Sequence, residues 1–215
     1  MPKVVDPEEQ RERVIDAARE VILVDGLDGA TMRRIASKAR CTTGLVTHYF
    51  TSKEDLLLTV VRHNARRAGG RISNALVDRH GIDAVRAVLI ESTPISNDHA
   101  EEWRIWVALW DRAMSNARLT AEWTRRAEGW QSLVRNGLHE AVETKELVES
   151  TPIELLVEGL SAFHFGLSLS AVMMPNRPPV SRLIGALEHQ LSLICWAHGR
   201  DSRGLPPFSE QDKSS

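Results

Sequence analysis

One segment of this 215-residue chain, residues 29 to 53, constrains the fold more than any other. Thr31 and Thr42 each stand where a helix N-cap is expected, and a short helical pattern follows each of them. Arg40 and Cys41 fall between the two patterns and leave room only for a tight turn. The segment therefore predicts a helix-turn-helix unit, the geometry that places a helix in a DNA major groove.

The same segment is positively charged and contains no acidic residue. Its basic side chains are Arg33, Arg34, Lys38, Arg40 and Lys53, whereas the whole chain has 29 acidic and 27 basic residues. A purely basic segment in a slightly acidic protein is typical of a surface that meets phosphate. The charge and the predicted helix pair together indicate DNA binding, and the alternative is a solvated helical hairpin.

The second predicted helix of the pair has a short, polar and uncharged outer face, which comprises Thr42, Thr43, Gly44, Thr47 and His48. Threonine hydroxyls bind phosphates and base edges, and threonine methyl groups contact thymine. Gly44 has no side chain, so the backbone can approach a sugar-phosphate strand closely. His48 is either a DNA contact or a solvated surface residue.

A further helix is predicted to begin at Ser52, with Asp55 three residues later in the capping-box position. Lys53 lies in its first turn, where backbone N–H groups favour an anion, and Tyr49 adds a phenolic hydroxyl nearby. The residues predicted to contact DNA are Thr31, Arg33, Arg40, Thr42, Thr43, Gly44, Thr47, His48, Tyr49 and Lys53.

These residues resemble the N-terminal domain of the TetR family of bacterial repressors. The resemblance rests on Thr31 to Ala36, Gly44 to Phe50 and Ser52 to Leu57, and the string TTGLVTHYF is similar to the BetI-like branch. It implies an all-α protein with an N-terminal three-helix DNA-binding domain and a C-terminal helical bundle for ligand binding and dimerisation. The chain has Arg40 where the family usually has a turn glycine, and Thr47 where many relatives have tyrosine.

Helical periodicity continues along the rest of the chain, and no convincing strand pattern interrupts it. The first 70 residues carry 12 basic and 10 acidic side chains, whereas the remainder carries 15 and 19, so the positive charge is concentrated near the N-terminus. Gly69-Gly70 is a weak point in a long helix. We predict a DNA-binding domain over residues 1–68, a ligand-binding and dimerisation domain over 69–199, and a flexible tail over 200–215.

The last two predicted helices are apolar on more than one face. Thr151, Pro152 and Glu154 form a capping box with proline at the first helical position, which predicts a strong helix start. A helix that is apolar on several faces is usually buried on several faces. The pattern fits either an ordinary intramolecular core or a four-helix interface between two copies, which the resemblance implies. A two-fold dimer places two recognition helices ~34 Å apart on a palindromic operator.

The central part of the chain is rich in tryptophan, with six against one tyrosine and four phenylalanines. Trp103, Trp106 and Trp110 are spaced to share one helix face, and Trp123 and Trp130 share a face of the next helix. These indoles either fill a core or form an aromatic box that attracts a cation. The second alternative agrees with the BetI-like resemblance, which implies a response to choline.

The predicted partners are therefore operator DNA, a second copy of the chain and a small-molecule effector. The effector is expected to be a quaternary ammonium or another cationic or hydrophobic compound. The residues predicted to bind it are Trp103, Trp106, Trp110, Trp130, Phe163 and His164. For His164, within an apolar helix, the alternatives are a hydrogen-bonded core or pocket residue and a metal ligand.

The sequence contains no pattern typical of an enzyme: no nucleophile elbow, P-loop, dinucleotide glycine motif or metal-ligand spacing. We expect no catalysis, no cofactor and no metal, and Cys41 and Cys195 do not make a disulfide framework. The N-terminus lacks an apolar signal core, and the charge-free stretch from Gly159 to Asn176 is shorter than a membrane span. We expect a cytoplasmic protein. The alternative function is a helical interaction or ligand-binding module that does not bind DNA.

Overall fold

Helices make up nearly all of the chain that the structure describes. The computed structural model describes residues 6–174, 176 and 178–199, without the side chain of Asp111. Within these residues no strand is present, and an isolated bridge pairs Leu147 with Gly199. The predicted all-α class is confirmed, while the predicted tail at 200–215 lies outside the described residues.

The helices follow one another with short connections. Their bounds are α1 (Pro7–Gly29), α2 (Met32–Lys38), α3 (Thr43–Tyr49), α4 (Lys53–Ala75), α5 (Gly81–Ser92), α6 (Asn97–Ser115), α7 (Ala117–Glu143), α8 (Ile153–Met173) and α9 (Val180–His198).

The predicted N-caps of α2, α3 and α4 are confirmed. The hydroxyl oxygen of Thr31 accepts a hydrogen bond from Arg34 N at 3.2 Å, and that of Thr42 accepts one from Leu45 N at 3.2 Å. Ser52 caps α4 in the same way, since Asp55 N donates to its hydroxyl oxygen at 3.1 Å. Each cap satisfies a backbone donor that the first helical turn leaves unpaired, so short helices begin at defined residues.

The capping box predicted at the start of α8 is wrong. Thr151 donates its hydroxyl to the carbonyl of Val148 at 2.5 Å, and its backbone N–H donates to the same carbonyl at 3.1 Å. Pro152 takes the N-cap position, and no side chain caps the helix. A local turn thus competes successfully for the threonine hydroxyl that the sequence pattern assigned to α8.

The described residues form two compact units. The first comprises the residues up to Gly69 together with Glu101–Arg126, and the second comprises Gly70–Ala100 together with the residues after Arg126. The division passes between the two adjacent glycines of α4, and α4 is helical through both of them. The predicted division at residue 68 does not place Glu101–Arg126 with the N-terminal residues. The functional domain bounds remain a prediction.

The first unit has its own apolar core. One face of α1 is buried there, and it consists of Val14, Ile15, Ala18, Val21 and Ile22. Buried side chains of α2, α3, α4 and α6 complete this core, among them Ile35, Val46, Leu56, Val60 and Ile105. The packing fixes the short helices α2 and α3, which are too short to be stable alone.

The second unit has a separate core built from α5, α7, α8, α9 and the last turns of α4. Its buried side chains include Val85, Leu89, Val134, Leu138, Leu160, Leu187 and Leu191. An apolar face of α9 supplies Leu187, Leu191 and Ile194 to this core, and Leu183 of the same helix is also buried.

Candidate nucleic-acid interface

The turn between α2 and α3 is a Schellman motif with arginine at the left-handed position. Arg40 N donates to Ser37 O at 3.2 Å and Cys41 N donates to Ala36 O at 2.9 Å. Arg40 has a φ of 55°, a conformation that glycine adopts at much lower cost. The turn therefore has the positive φ that the family's glycine implied, although this chain supplies it with a side chain.

The outer face of α3 (Thr42, Thr43, Gly44, Thr47 and His48, hereafter the α3 face) is exposed as predicted. The hydroxyl oxygen of Thr42 accepts the cap bond, so its proton can still be donated to a phosphate oxygen. Thr47 instead donates to the carbonyls of Thr43 and Gly44 at 3.2 and 3.1 Å, so its oxygen can accept from a base amino group. The two threonines thus present opposite hydrogen-bonding groups.

The four basic residues of α2 and the turn after it divide into two groups. Arg34 forms an ion pair with Asp25 at 2.9 Å, and Lys38 forms one with Glu20 at 2.5 Å. Arg33 and Arg40 are exposed and have no acidic partner in the described part of the chain. These two guanidinium groups are the ones that the surrounding carboxylates leave uncompensated.

Two predicted DNA contacts, Tyr49 and Lys53, are held by α1. The Tyr49 hydroxyl donates to Gln10 Oε1 at 3.3 Å, and Lys53 Nζ donates to the carbonyl of Leu27 at 2.6 Å. Both side chains are half-buried. In this arrangement they link α1 to the ends of α3 and α4, and the ammonium group of Lys53 retains two further protons for other acceptors.

The turn cysteine, Cys41, is half-buried. Burial raises the pKa of its thiol, and nearby Arg13 opposes the rise. The other cysteine, Cys195, also has a pKa raised by burial. Both thiols are free.

Three indoles of the first unit surround a small cleft. The ring of Trp123 meets Trp106 at 5.3 Å and Trp110 at 5.6 Å between centroids, with interplanar angles of 73° and 60°. Val61 of α4 and Leu119 of α7 also line this space, hereafter the indole cleft. Edge-to-face contacts of this kind stabilise aromatic clusters beyond simple burial.

A polar cluster lies within the apolar second unit. Trp130 donates its indole N–H to Ser92 Oγ at 3.0 Å, and Ser92 Oγ lies 3.0 Å from His164 Nε2. The rings of Trp130 and His164 stack at 5.0 Å and 25°. Burial lowers the pKa of His164 to about 4, against a smaller opposing contribution from a hydrogen bond to Ser92, so the imidazole is neutral near pH 7.

The predicted ligand residues therefore fall into two separate groups. Trp103, Trp106 and Trp110 belong to the first unit, whereas Trp130, Phe163 and His164 belong to the second. Sequence reasoning missed the partner of each group. Trp123 was paired with Trp130 by its spacing, and nothing in the sequence singles out Ser92. It also missed Glu122, a buried carboxylate that three arginines contact.

Two family models match this chain. Residues 14–60 match the TetR family of bacterial regulatory proteins, and residues 81–195 match the C-terminal domain of BetI-type transcriptional repressors. The chain belongs to the TetR family. It is a DNA-binding transcriptional regulator, and the α2–α3 pair described above lies within the matched N-terminal region.

The sequence similarity to known relatives of this TetR-family regulator extends over different lengths of the chain. The regulator PksA of Bacillus subtilis is 26% identical over 208 residues, which are 96% of this chain and all of PksA. The regulator BetI of Burkholderia thailandensis is 34% identical over 124 residues, which are 55% of this chain and 62% of BetI. The match to BetI thus spans less than two thirds of that protein.

A solved structure shares the fold. The putative transcriptional regulator of Saccharomonospora viridis, solved in complex with choline, superposes with a TM-score of 0.78 at 19% identity. The superposition covers 85% of this chain and 95% of that one. It confirms the helical architecture of an N-terminal helix-turn-helix region followed by a helical body.

Proposed function

We propose that this regulator is a cytoplasmic repressor that binds a palindromic operator as a homodimer and leaves it when a small molecule binds. The observation that carries the proposal is the α3 face, an exposed and uncharged surface with three threonine hydroxyls. It lies beside two arginines without acidic partners among the described residues, Arg33 and Arg40. Uncharged hydroxyls suit base edges and arginines suit phosphates, so the surface combines sequence reading with backbone attraction.

In this proposal Thr43, Thr47 and His48 face base edges, while Thr42 and the N–H groups near Gly44 meet a phosphate. Arg33, Arg40 and Thr31 contact the DNA backbone on either side of the groove. Lys53 and Tyr49 hold α1 against the recognition helix, and Lys53 keeps protons for a phosphate. The phosphate contacts set affinity at any sequence, and the base contacts set preference.

The dimer is proposed to form through α8 and α9. By length and composition α8 is apolar enough to cross a membrane, with a mean hydropathy of 1.5, yet only 28% of its apolar window is buried. Large apolar side chains are exposed on both helices, among them Leu155, Met173, Leu193 and Trp196. We favour a second copy over a membrane because α8 also packs polar side chains, His164 and Ser168, into the second unit.

The effector is proposed to be a quaternary ammonium or another cationic or hydrophobic compound, which the protein binds without turning it over. The choline bound to the Saccharomonospora protein motivates the cation. We assign a cation to the indoles Trp103, Trp106 and Trp110, because indole faces attract ammonium groups. Trp130, Phe163 and neutral His164 form a second candidate group that offers hydrogen bonds and no charge.

The experiment that tests the repressor is operator selection. The purified protein is used to select duplexes from a random pool, and its affinity for the selected operator and for random duplex is measured over a range of salt. A palindromic selected sequence, bound far more tightly than random duplex and released by a member of a quaternary ammonium panel that includes choline, supports the whole proposal. Selection without release by any compound of the panel removes the quaternary ammonium effector, and no selection at low salt overturns the repressor.

The α3 face has its own test within that assay. Thr47→Ala is expected to change the selected sequence while the dependence of log affinity on log salt stays the same, because no phosphate contact is lost. Arg33→Gln is expected to keep the selected sequence and to reduce the salt slope by about one. Equal losses for Thr47→Ala on operator and random duplex would contradict the base-reading role.

A further inference from the structure

A buried carboxylate occupies the first unit where α4 meets α7. The side chain of Glu122 is 1% exposed. Burial on its own would raise the pKa of this carboxyl, but hydrogen bonds from Arg62 and Arg126 and the charge of Arg125 lower it below its usual value. The carboxylate is therefore ionised in the folded protein, and an ionised buried group persists only with strong partners.

Three guanidinium groups surround Glu122. Arg125 Nη1 lies 2.8 Å from Oε2, and Arg126 contacts Oε1 through Nη2 at 2.9 Å and Nε at 3.1 Å. Arg62 Nε lies 3.0 Å from Oε2. Arg125 and Arg126 are on α7 itself, three and four residues after Glu122. Among the described residues, Arg62 is the one partner of Glu122 that belongs to another helix.

The two partners on α7 already compensate the charge of Glu122. The cluster of one carboxylate and three arginines has two positive charges in excess, so neutralisation does not require Arg62. What Arg62 adds is a directed contact between α7 and α4. A second buried contact acts nearby, where Asn64 of α4 donates to the carbonyl of Glu102 of α6 at 3.1 Å.

The position of α4 matters for the α3 face. α4 begins at Lys53, four residues after α3 ends at Tyr49. Arg62 is nine residues into α4, about 14 Å along a helix that rises 1.5 Å per residue. The buried side chains Phe50 and Leu56 pack in the core that also holds Val46 of α3. A shift of α4 at Arg62 is therefore transmitted to α3 through a short connection and a shared core.

We propose that the ion pair between Arg62 and Glu122 positions α4, and with it the α3 face, for operator binding. Arg62 and Glu122 are positioning residues, since neither needs to touch DNA. The proposal rests on the assignment of α3 as the recognition helix, and that assignment is tested separately by operator selection with the wild-type protein.

Arg62→Gln and Arg125→Gln form a matched pair of variants. Each removes one positive charge and one contact to Oε2, and the two arginine side chains are 49% and 60% exposed, so neither change opens a buried site. The intended difference is that Arg62 belongs to α4 and joins it to Glu122 of α7, whereas Arg125 lies on α7 with Glu122. Affinity is measured for the operator selected by the wild-type protein and for random duplex, with melting temperatures to confirm folding.

Arg62→Gln is expected to weaken operator binding by about 10-fold, within the usual range for coupling between two parts of a protein. Arg125→Gln is expected to stay within about twofold of the wild-type protein, and both variants are expected to lose the same small amount on random duplex. Equal operator affinity for the two variants would overturn the proposal. A larger loss for Arg62→Gln on random duplex as well would also overturn it, because Arg62 would then be a phosphate contact.

Glu122→Gln provides a test of opposite sign. It makes the protein more positive by one charge, so a purely electrostatic role predicts tighter binding to operator and random duplex alike. A positioning role predicts weaker operator binding with random duplex unchanged or slightly tighter. If Glu122→Gln does not fold, the comparison of Arg62→Gln with Arg125→Gln still tests the positioning role, since both arginine side chains are on the surface. Failure of the wild-type protein to select any operator would instead remove the proposed function itself.

Discussion

At the scale of a single residue, Arg40 lies in left-handed backbone and is exposed beside the α3 face. A side chain with a Cβ costs about 1–2 kcal/mol in that conformation relative to an unstrained one, and glycine avoids this cost. The guanidinium group has no acidic partner among the described residues, so it remains available to a phosphate. Compared with glycine at this position, arginine adds a positive charge to the surface and lowers the stability of the turn.

Arg40→Gly is therefore expected to raise the free energy of unfolding by about 1 kcal/mol and to weaken binding to any duplex. Urea unfolding and a salt titration of DNA binding measure the two effects. Arg33→Gly is the control, since it removes the same charge from the first turn of α2, where the backbone is helical, and should lower the free energy of unfolding by at most about 1 kcal/mol. A loss of stability in both variants would show that the turn does not strain Arg40.

His164 gives the stability of the protein a pH dependence. Its pKa is about 4 in the folded protein, where burial favours the neutral imidazole, and near its ordinary value of 6.5 when the chain is unfolded. The unfolded state binds the proton first, so this contribution is fully present above pH 6.5 and is lost as the pH falls towards 4. Between pH 7.5 and pH 5 the free energy of unfolding should fall by about 2 kcal/mol from this residue.

Urea unfolding of the wild-type protein and of His164→Gln, compared at pH 7.5 and pH 5, measures the effect of this histidine. Other groups titrate in both proteins, so the difference between them isolates His164. The variant should be less stable at pH 7.5 and should lose less stability on acidification. Parallel losses in the two proteins would mean that the imidazole is not held neutral.

At the scale of elements, local patterns predicted those helix starts that local bonds determine. Thr31, Thr42 and Ser52 cap their helices by accepting hydrogen bonds from backbone N–H groups three residues later, which the spacing along the sequence already places within reach. Thr151 was assigned a cap and instead bonds to Val148, because a turn before α8 offers an acceptor that no periodicity reveals. The α3 face was predictable for the same reason as the caps, since helical spacing alone decides which side chains face outward.

The exposed apolar side chains of α9 predict how the dimer can be disrupted. Trp196→Glu is expected to shift the protein from dimer to monomer, because a carboxylate buried in an apolar interface without a partner is strongly unfavourable. Sedimentation velocity measures the assembly, and operator affinity should fall with it. Met114→Glu, at an exposed apolar position in the first unit, should leave the dimer intact. If the Trp196→Glu protein remains dimeric, the dimer interface does not include this part of α9.

At the scale of the whole molecule, the sequence predicted an N-terminal helix-turn-helix region followed by a helical body, but not the partition into the two compact units. Residues 101–126 are as helical and amphipathic as their neighbours, and no local sequence pattern indicates that they pack with the N-terminal helices. Trp123 and Trp130 share a predicted face of α7, yet they belong to different units and contact different partners. Helical periodicity predicts which face of a helix is buried, whereas the tertiary structure is needed to identify the residues that pack against that face.

That partition predicts which tryptophans a cationic effector needs. For a quaternary ammonium found to release the protein from the selected operator, Trp106→Ala should abolish release, whereas Trp130→Ala should preserve it, because the indole cleft belongs to the first unit alone. Release is measured as the effector concentration that halves operator binding, at a protein concentration where each variant still binds. The reverse pattern would assign the effector to the group around His164.

The half-buried thiol of Cys41 limits how fast oxidants modify the turn before α3. A thiol with a raised pKa is almost entirely protonated at neutral pH, and it is the thiolate that attacks a peroxide. Cys41 is therefore expected to oxidise slowly, so that peroxides leave the turn before the recognition helix chemically unchanged.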